Sequence, residues 1–239
     1  MKAKVKKIPD KPVCIIPAKG RSGRLPAKNI KNLCGKPMLA YTIEAAVKSG
    51  VFKEVLVSTE SKKIAQIAEK YGGCIPYLRP GKLTEDNASV VDVCLHMIEF
   101  LEKSGSYNKT LCVLLPTTPL RTATDIRNAY KLFVSKRSKF LMAITNFIYE
   151  PFEALAIDKN DCVKPYWGKD YTEIKRQKRP DLVVDNGAIY IVDIVAFKKE
   201  KTFYGNKLVS YPMTQEKSID INTEFDFKIA EYFIKERKK

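Results

Sequence analysis

Short, uninterrupted apolar runs, each followed by a longer polar or amphipathic stretch, set the fold that this chain can adopt. VCIIP (13–17), EVLVST (54–59), CIPYL (74–78) and TLCVLLP (110–116) are too short for buried helices and too continuous for half-exposed strands. Such runs are expected of strands covered on both faces. Helical patterns lie between them. PMLAYTIEAAVKSG opens at Pro37 and stops at Gly50, and SKKIAQIAEKYGG stops at Gly72 and Gly73. Further helices are expected from Ala88 to Lys103, and from a cap at Thr124 and Asp125 to about Ser135. Repeated β–α units of this length predict an α/β domain with a mostly parallel sheet and helices on both faces. Ligands of such sheets bind in the loops beyond the carboxyl ends of the strands.

After residue 139 the rhythm changes. FLMAITNFI, GAIYIVDI (187–194), KLVSYPM and KSIDI read as strands, and Thr223 with Asp226 caps a final helix, EFDFKIAEYFIKERKK. Pro151, Pro165, Pro180 and the polar stretch GKDYTEIKRQKRPD interrupt this region, which reads as an arm rather than a further βα unit. Residues 1–239 are expected to form one domain carrying that arm at about 145–183.

Composition removes several functional classes. No apolar run approaches the roughly 20 residues that span a bilayer, and MKAKVKKIPDKP lacks a signal peptide's apolar core, so a cytoplasmic protein without membrane contact is expected. The six cysteines show no C-x-x-C spacing, and the single histidine, His96, leaves no His-rich metal site. His96 is expected on the side of a helix. A net charge of +16, from 43 Lys and Arg against 27 Asp and Glu, suggests a nucleic acid, a membrane surface or a small polyanion as partner, or simply solvated lysines.

The loop after the first run, AKGRSGRLPAKN, concentrates chemistry. Gly20 and Gly23 permit a tight turn whose N–H groups can face oxygens, and Lys19, Arg21, Arg24 and Lys28 can neutralise a triphosphate. A solvated basic loop would have the same composition, but this one sits where an open sheet binds ligands. It is neither a Walker loop nor G-x-G-x-x-G, so no dinucleotide cofactor is indicated.

IIPAKGRSGRLPAKNIKNLCGKPMLAYTIEAA resembles the opening of the acylneuraminate cytidylyltransferases, and further blocks match in order: VLVSTE, YLRPGKLTEDNASVVDVCLH, LLPTTPLRTATDI, DNGAIYI and SIDINTEFD. The resemblance implies a Rossmann-like nucleotidyltransferase sheet with an inserted dimerisation arm. It also implies Mg²⁺-dependent transfer of CMP from CTP to the anomeric hydroxyl of an acidic nine-carbon sugar. By it, Lys28 and Asp220 are catalytic, and Ala18, Lys19, Gly20, Ser22, Arg24, Asn29, Arg79, Ala88 and Ser89 bind nucleotide. Arg176, Tyr190 and Leu115 fall on the sugar side, and Asp220 with Asn222 holds the metal. A strand through KSIDI would turn Asp220 and Asn222 to one face; a turn before the last helix is the other reading of that pair. A homodimer sharing its sites across the arm is implied.

Departures from the family pattern are also legible. Lys19 stands for an arginine, Gly23 for a lysine, Asn222 for the second acid, Leu115 for a glutamine, and VDNGA for R-P-N-G-A. The last two suggest an acceptor other than N-acetylneuraminate, of the legionaminic or pseudaminic type. The competing readings are a 3-deoxy-octulosonate cytidylyltransferase, a nucleic-acid-binding protein and a non-catalytic scaffold of the same fold. Asn29 after Lys28, and N-G-A-I-Y, favour the nonulosonate branch over the octulosonate one.

Overall fold

The continuous apolar runs form the middle of the sheet, where both faces are covered. A computed structural model describes residues 11–85 and 87–237, with Arg176 described by its backbone only. Its strands are β1 (Val13–Pro17), a small hairpin of β2 (Asn32–Leu33) and β3 (Lys36–Pro37), then β4 (Val55–Ser58), β5 (Thr110–Val113) and β6 (Phe140–Asn146). A second hairpin, β7 (Leu155–Ile157) with β8 (Val163–Pro165), precedes β9 (Val183–Asp193) and β10 (Leu208–Pro212). The helices are α1 (Met38–Ser49), α2 (Lys62–Lys70), α3 (Val90–Lys103), α4 (Ala123–Ser135), α5 (Lys169–Thr172), α6 (Ile194–Glu200) and α7 (Glu224–Glu236).

The main sheet has the order β10-β6-β9-β5-β1-β4, and β9 alone runs against the others. Strand alternation divides β1 between two cores. Cys14 and Ile16 pack with α1, α2 and α4 through Leu39, Ile43, Ile64, Ile126 and Phe133. Val13 and Ile15 face α3 and α6 through Met97, Ile98, Leu101 and Phe197. A third cluster joins Phe227, Ala230 and Ile234 of α7 to Leu25, Leu33, Leu120 and Ile221, which brings the C-terminal segment beside the first loop.

Several local expectations are corrected. CIPYL is not a strand: Cys74 makes one parallel bridge to Leu56, and Pro76, without an N–H, cannot continue the ladder. KSIDI is not a strand either, because Gln215–Lys217 closes a 3₁₀ turn and the Ile221 amide bonds the Thr117 carbonyl instead of a neighbouring strand. The cap of α4 is Thr122, not Thr124, with Asp125 completing a reciprocal box. Thr223 and Asp226 cap α7 in the same way. His96 lies on α3, its Nδ1 2.6 Å from the Tyr77 hydroxyl.

Asp125 also pairs with Lys217 at 2.9 Å, fixing the 3₁₀ turn to α4. Burial alone would raise the Asp125 carboxyl, but hydrogen bonds from Thr122 and Lys217 outweigh it and hold the carboxyl below its usual value. A depressed folded-state value means stability that is present above the unfolded carboxylate range and lost as pH falls below about 4. Asp125→Asn should therefore melt earlier than the parent at pH 7, with the gap closing as pH drops toward 3. A gap in melting temperature that is the same at both pH values would refute this role.

Candidate functional site

Three connections converge at the carboxyl ends of β1 and β5. The first loop leaves β1 at Ala18, which is wholly buried with its N–H on the Ser58 carbonyl, so Ala18 underlies the site rather than lining it. Gly20 also departs from expectation. Its N–H donates to Glu60 Oε1 at 2.6 Å, so the amide faces a carboxylate and not a phosphate position. A Cβ on Gly20 would stand 2.8 Å from that same oxygen and 3.2 Å from Ser61 Cβ, which explains glycine there by close approach.

A cleft of about 290 Å³ opens over this loop, near the lower size limit of small-molecule sites. It gathers Lys19, Ser22, Lys28 and Asn29 from the loop, Arg79, Ala88 and Ser89 from the approach to α3, and Leu115 to Thr117 after β5. Ser89 caps α3, its hydroxyl and N–H both taken by Asp92, so the positive end of that helix points at the cleft while the serine side chain is committed. Arg79 is buried. It donates through Nε to Ser58 Oγ at 3.1 Å and through Nη2 to the Ser58 carbonyl, and burial lowers its pKa against the opposing charge of Glu60. Asn29 donates to the Lys19 carbonyl at 2.8 Å, and its own buried Oδ1 has no partner. A buried acceptor left open is costly unless a ligand donates to it.

Lys28 reaches out of this cleft. Its ammonium donates to the Ile221 carbonyl at 2.8 Å and to Asn222 Oδ1 at 3.2 Å. Burial lowers its pKa, partly offset by Asp220 and Asp226. Arg24 is exposed, outside the cleft lining, and donates to the same Asn222 oxygen at 3.3 Å. Asn222 Nδ2 in turn donates to Asp220 Oδ2 at 2.6 Å. Of the two readings of the Asp220–Asn222 pair, the structure shows the turn before α7. Asp220 and Asn222 do meet, though not from a strand, and the asparagine oxygen is taken by two cations instead of standing open beside the carboxylate.

Asp220 lines a second cavity, about 410 Å³, with Thr145, Phe147, Asp185, Asn186 and Ser218. The Asn186–Ala188 bulge in β9 shapes its wall: Gly187 has φ 68°, and Asn186 donates to Ser218 Oγ at 2.9 Å. Leu115, expected to contact the sugar, lines the first cleft. Tyr190, expected to flank the sugar, is buried against Phe203 and reaches the cavity only through Asp185, to which its hydroxyl donates at 2.8 Å. Burial, with Asp185 beside it, pushes the Tyr190 phenol up. Tyr204 donates to the same carboxylate at 3.1 Å. Arg176 begins a short 3₁₀ turn, and its side chain lies outside the described residues. Glu60 and Asp185 went unread as site residues, although both fall in blocks that signalled the site, VLVSTE and VDNGA.

A family model described as Cytidylyltransferase matches residues 13–176. The chain belongs to that family. The pseudaminic acid cytidylyltransferase of Campylobacter jejuni is 33% identical over 94% of this chain and 97% of its own length. The CMP-N,N'-diacetyllegionaminic acid synthase of Legionella pneumophila is 32% identical over 92% and 94%. Among solved structures, a CMP:2-keto-3-deoxy-manno-octonic acid synthetase complexed with CTP shares the fold, with TM-score 0.69 at 14% identity over 95% of this chain and 99% of that one.

For a cytidylyltransferase the Glu60 latch has a testable consequence. Gly20→Ala should displace the Glu60 carboxylate, break its bond to the loop and weaken CTP binding by roughly tenfold, the scale of one charge-assisted hydrogen bond. Isothermal titration would read this, and unchanged CTP affinity would show that Glu60 does not fix the loop.

Proposed function

We propose that this cytidylyltransferase transfers CMP from CTP to the anomeric hydroxyl of a nonulosonic acid of the pseudaminic or legionaminic type, releasing pyrophosphate. The observation that carries it is the seam between the two cavities. Lys28 rises from the first cleft, Asp220 faces the second, and Asn222 hydrogen-bonds both. A nucleotide in the first and a sugar in the second would meet at that seam. The relatives named for pseudaminic and diacetyllegionaminic acids, at about one third identity over nearly the whole chain, support the acceptor class. The octulosonate reading rests on a likeness of fold at 14% identity.

In this reading Lys19, Arg21 and Ser22 receive the β- and γ-phosphates, and Lys28 stabilises charge developing around the α-phosphorus during in-line attack. Asn29 Oδ1 accepts from the nucleotide, and the α3 end with Arg79 closes the base side. The donor set fits Mg²⁺ only as a partial site. Asp220 offers one carboxylate, and no cluster of three or more His, Cys, Asp or Glu occurs among the described residues. One carboxylate plus phosphates and water is an ordinary Mg²⁺ environment. Asp220 would hold the ion, which supplies charge neutralisation on the triphosphate.

The cavity assigned to the sugar has Asp185 and Asp220 on its wall and no Lys or Arg among its described lining residues. An acidic sugar therefore needs a cation from elsewhere, and the arm carrying Arg176 of a second copy is the proposed source. The arm suits an interface. Its β7–β8 hairpin pairs with no other strand, and Leu155, Ile157, Val163, Tyr166 and Trp167 are exposed. An isolated two-stranded sheet is marginal in water, and this many large apolar side chains exposed on one short hairpin suit burial against a partner. No described helix is long and apolar enough to cross a membrane, and a cytoplasmic location is part of the proposal.

Pyrophosphate release from CTP, with and without Mg²⁺, should appear with pseudaminate or legionaminate and exceed that with N-acetylneuraminate or 3-deoxy-octulosonate. Lys28→Ala should lose at least 100-fold in kcat, on the order of a lost transition-state contact, while remaining folded. Release with none of these acids by protein that binds CTP would reject the acceptor class. Light scattering at micromolar concentration should give a dimer, and Ile157→Lys a monomer. A parent protein that is already monomeric would overturn the arm's assignment.

A further inference from the structure

Arg121 is a guanidinium buried at the centre of the molecule, 2% exposed, and the site described above makes no use of it. Its Nη1 donates to Thr42 Oγ1 of α1 at 2.8 Å, and its Nη2 donates to the Leu115 carbonyl. Its Nε has no partner, and no described carboxylate forms an ion pair with it. Burial pulls its pKa down to about 10, with Cys14, Cys112 and Asp125 acting the other way, so it stays charged at neutral pH. A buried cation without a paired anion is expensive, and its retention needs a reason beyond packing.

The segment that Arg121 holds lines the first cleft and bonds the β9 bulge beside the second cavity. Leu115, Pro116 and Thr117 form the floor of the first cleft. Thr118 Oγ1 donates to the Gly187 carbonyl at 3.1 Å, in the bulge that shapes the second. The Thr117 carbonyl accepts from the Ile221 N–H at 2.8 Å, and the Ile221 carbonyl accepts from Lys28. A continuous hydrogen-bonded path therefore leads from the Leu115–Thr118 turn to Lys28 and the Asp220–Asn222 segment.

We propose that Arg121 is a positioning residue for nucleotidyl transfer. By anchoring the Leu115 carbonyl it sets the turn that carries Thr117, and through Ile221 it fixes where Lys28 and Asp220 meet the reacting groups. Its fork is the essential feature, because two acceptors on different elements, Thr42 and Leu115, must be held at once. The inference rests on the catalytic reading of Lys28 in the proposed function.

A positioning role acts on the transition state more than on ground-state binding, so it separates kcat from KM. Thr42→Val removes one acceptor with little change of shape and should lower kcat by about tenfold, with both KM values within about threefold. Thr42→Ser, which retains the hydroxyl, should recover most of the loss. Arg121→Lys keeps the charge but not the fork and should lose about 100-fold in kcat, the scale of a small misplacement of reacting groups. Circular dichroism and melting would confirm that each variant is folded. If Arg121→Lys fails to fold, the Thr42 pair still decides. Parental kcat in folded Thr42→Val, beside an inactive Lys28→Ala, would overturn this inference alone. Full activity in Lys28→Ala would instead overturn the role of Lys28 on which it rests.

Discussion

The hydrogen bond from the Ile221 amide to the Thr117 carbonyl is the tie on which the site depends. Ile221 belongs to a segment that follows the last strand of the sheet, and Thr117 follows β5 near its middle. Together with the bonds from Lys28 and Arg24, that tie fixes Asp220 and Asn222 relative to the first loop. Apolar contact reinforces it, since Ile221 is fully buried with Leu25, Leu120 and Phe227. The third core cluster thus holds α7 against the loop that carries Lys28. The same turn is bonded from several directions: by Arg121 at Leu115, by Gly187 at Thr118 and by Arg237 at Leu120. A turn clamped this way holds one wall of the first cleft in register with the β9 bulge and with the Asp220–Asn222 segment.

Electrostatics sets the cost of the buried cations in and behind the first cleft. Lys28, Arg79 and Arg121 all have pKa values lowered by burial, which signals that folding alone stores their charge at a cost. Desolvation of an ion costs several kcal/mol, whereas a neutral hydrogen bond returns about one. Bonds to Ser58, Thr42 and backbone carbonyls therefore do not settle the account. An anion in the cleft would offset that cost for Lys28 and Arg79, which line it, because partly buried charges are weakly screened. The +16 net charge then divides into two populations, with the site cations distinct from lysines spread along helices such as α2. That division favours a nucleotide over a nucleic acid as the anionic partner.

The sheet was legible because burial on both faces leaves a direct trace in composition. VCIIP and TLCVLLP became β1 and β5, and the cations after VCIIP came to the cleft as strand-end topology requires. Where the reading failed, a single backbone group decided. CIPYL has strand composition, but Pro76 has no N–H to give. KSIDI has the alternation of a strand, yet its ladder partner is replaced by one bond to Thr117. Thr122 and Thr124 both suit a helix cap, and only the three-residue spacing to Asp125 distinguishes them. Arg121 and Asp185 fall inside matched blocks, but nothing in those blocks discloses their partners Thr42 and Tyr204, which lie 79 and 19 residues away.

Asn222 shows how a departure from a family pattern can be read physically. An aspartate there would meet Lys28 and Arg24 as an ion, and charge-assisted bonds are about twice as strong as neutral ones. It would also place a second negative charge against Asp220, whose carboxylate is 2.6 Å from the Asn222 amide nitrogen. Asparagine answers both constraints with one group, its oxygen accepting from the cations and its N–H₂ donating to Asp220. The two halves of the seam are thereby joined without neutralising Lys28. The Lys28 ammonium thus meets a neutral acceptor, and Asp220 stands as the sole carboxylate of the pair. The link between Lys28 and Asp220 therefore runs through hydrogen bonds of a neutral amide rather than through ion pairs.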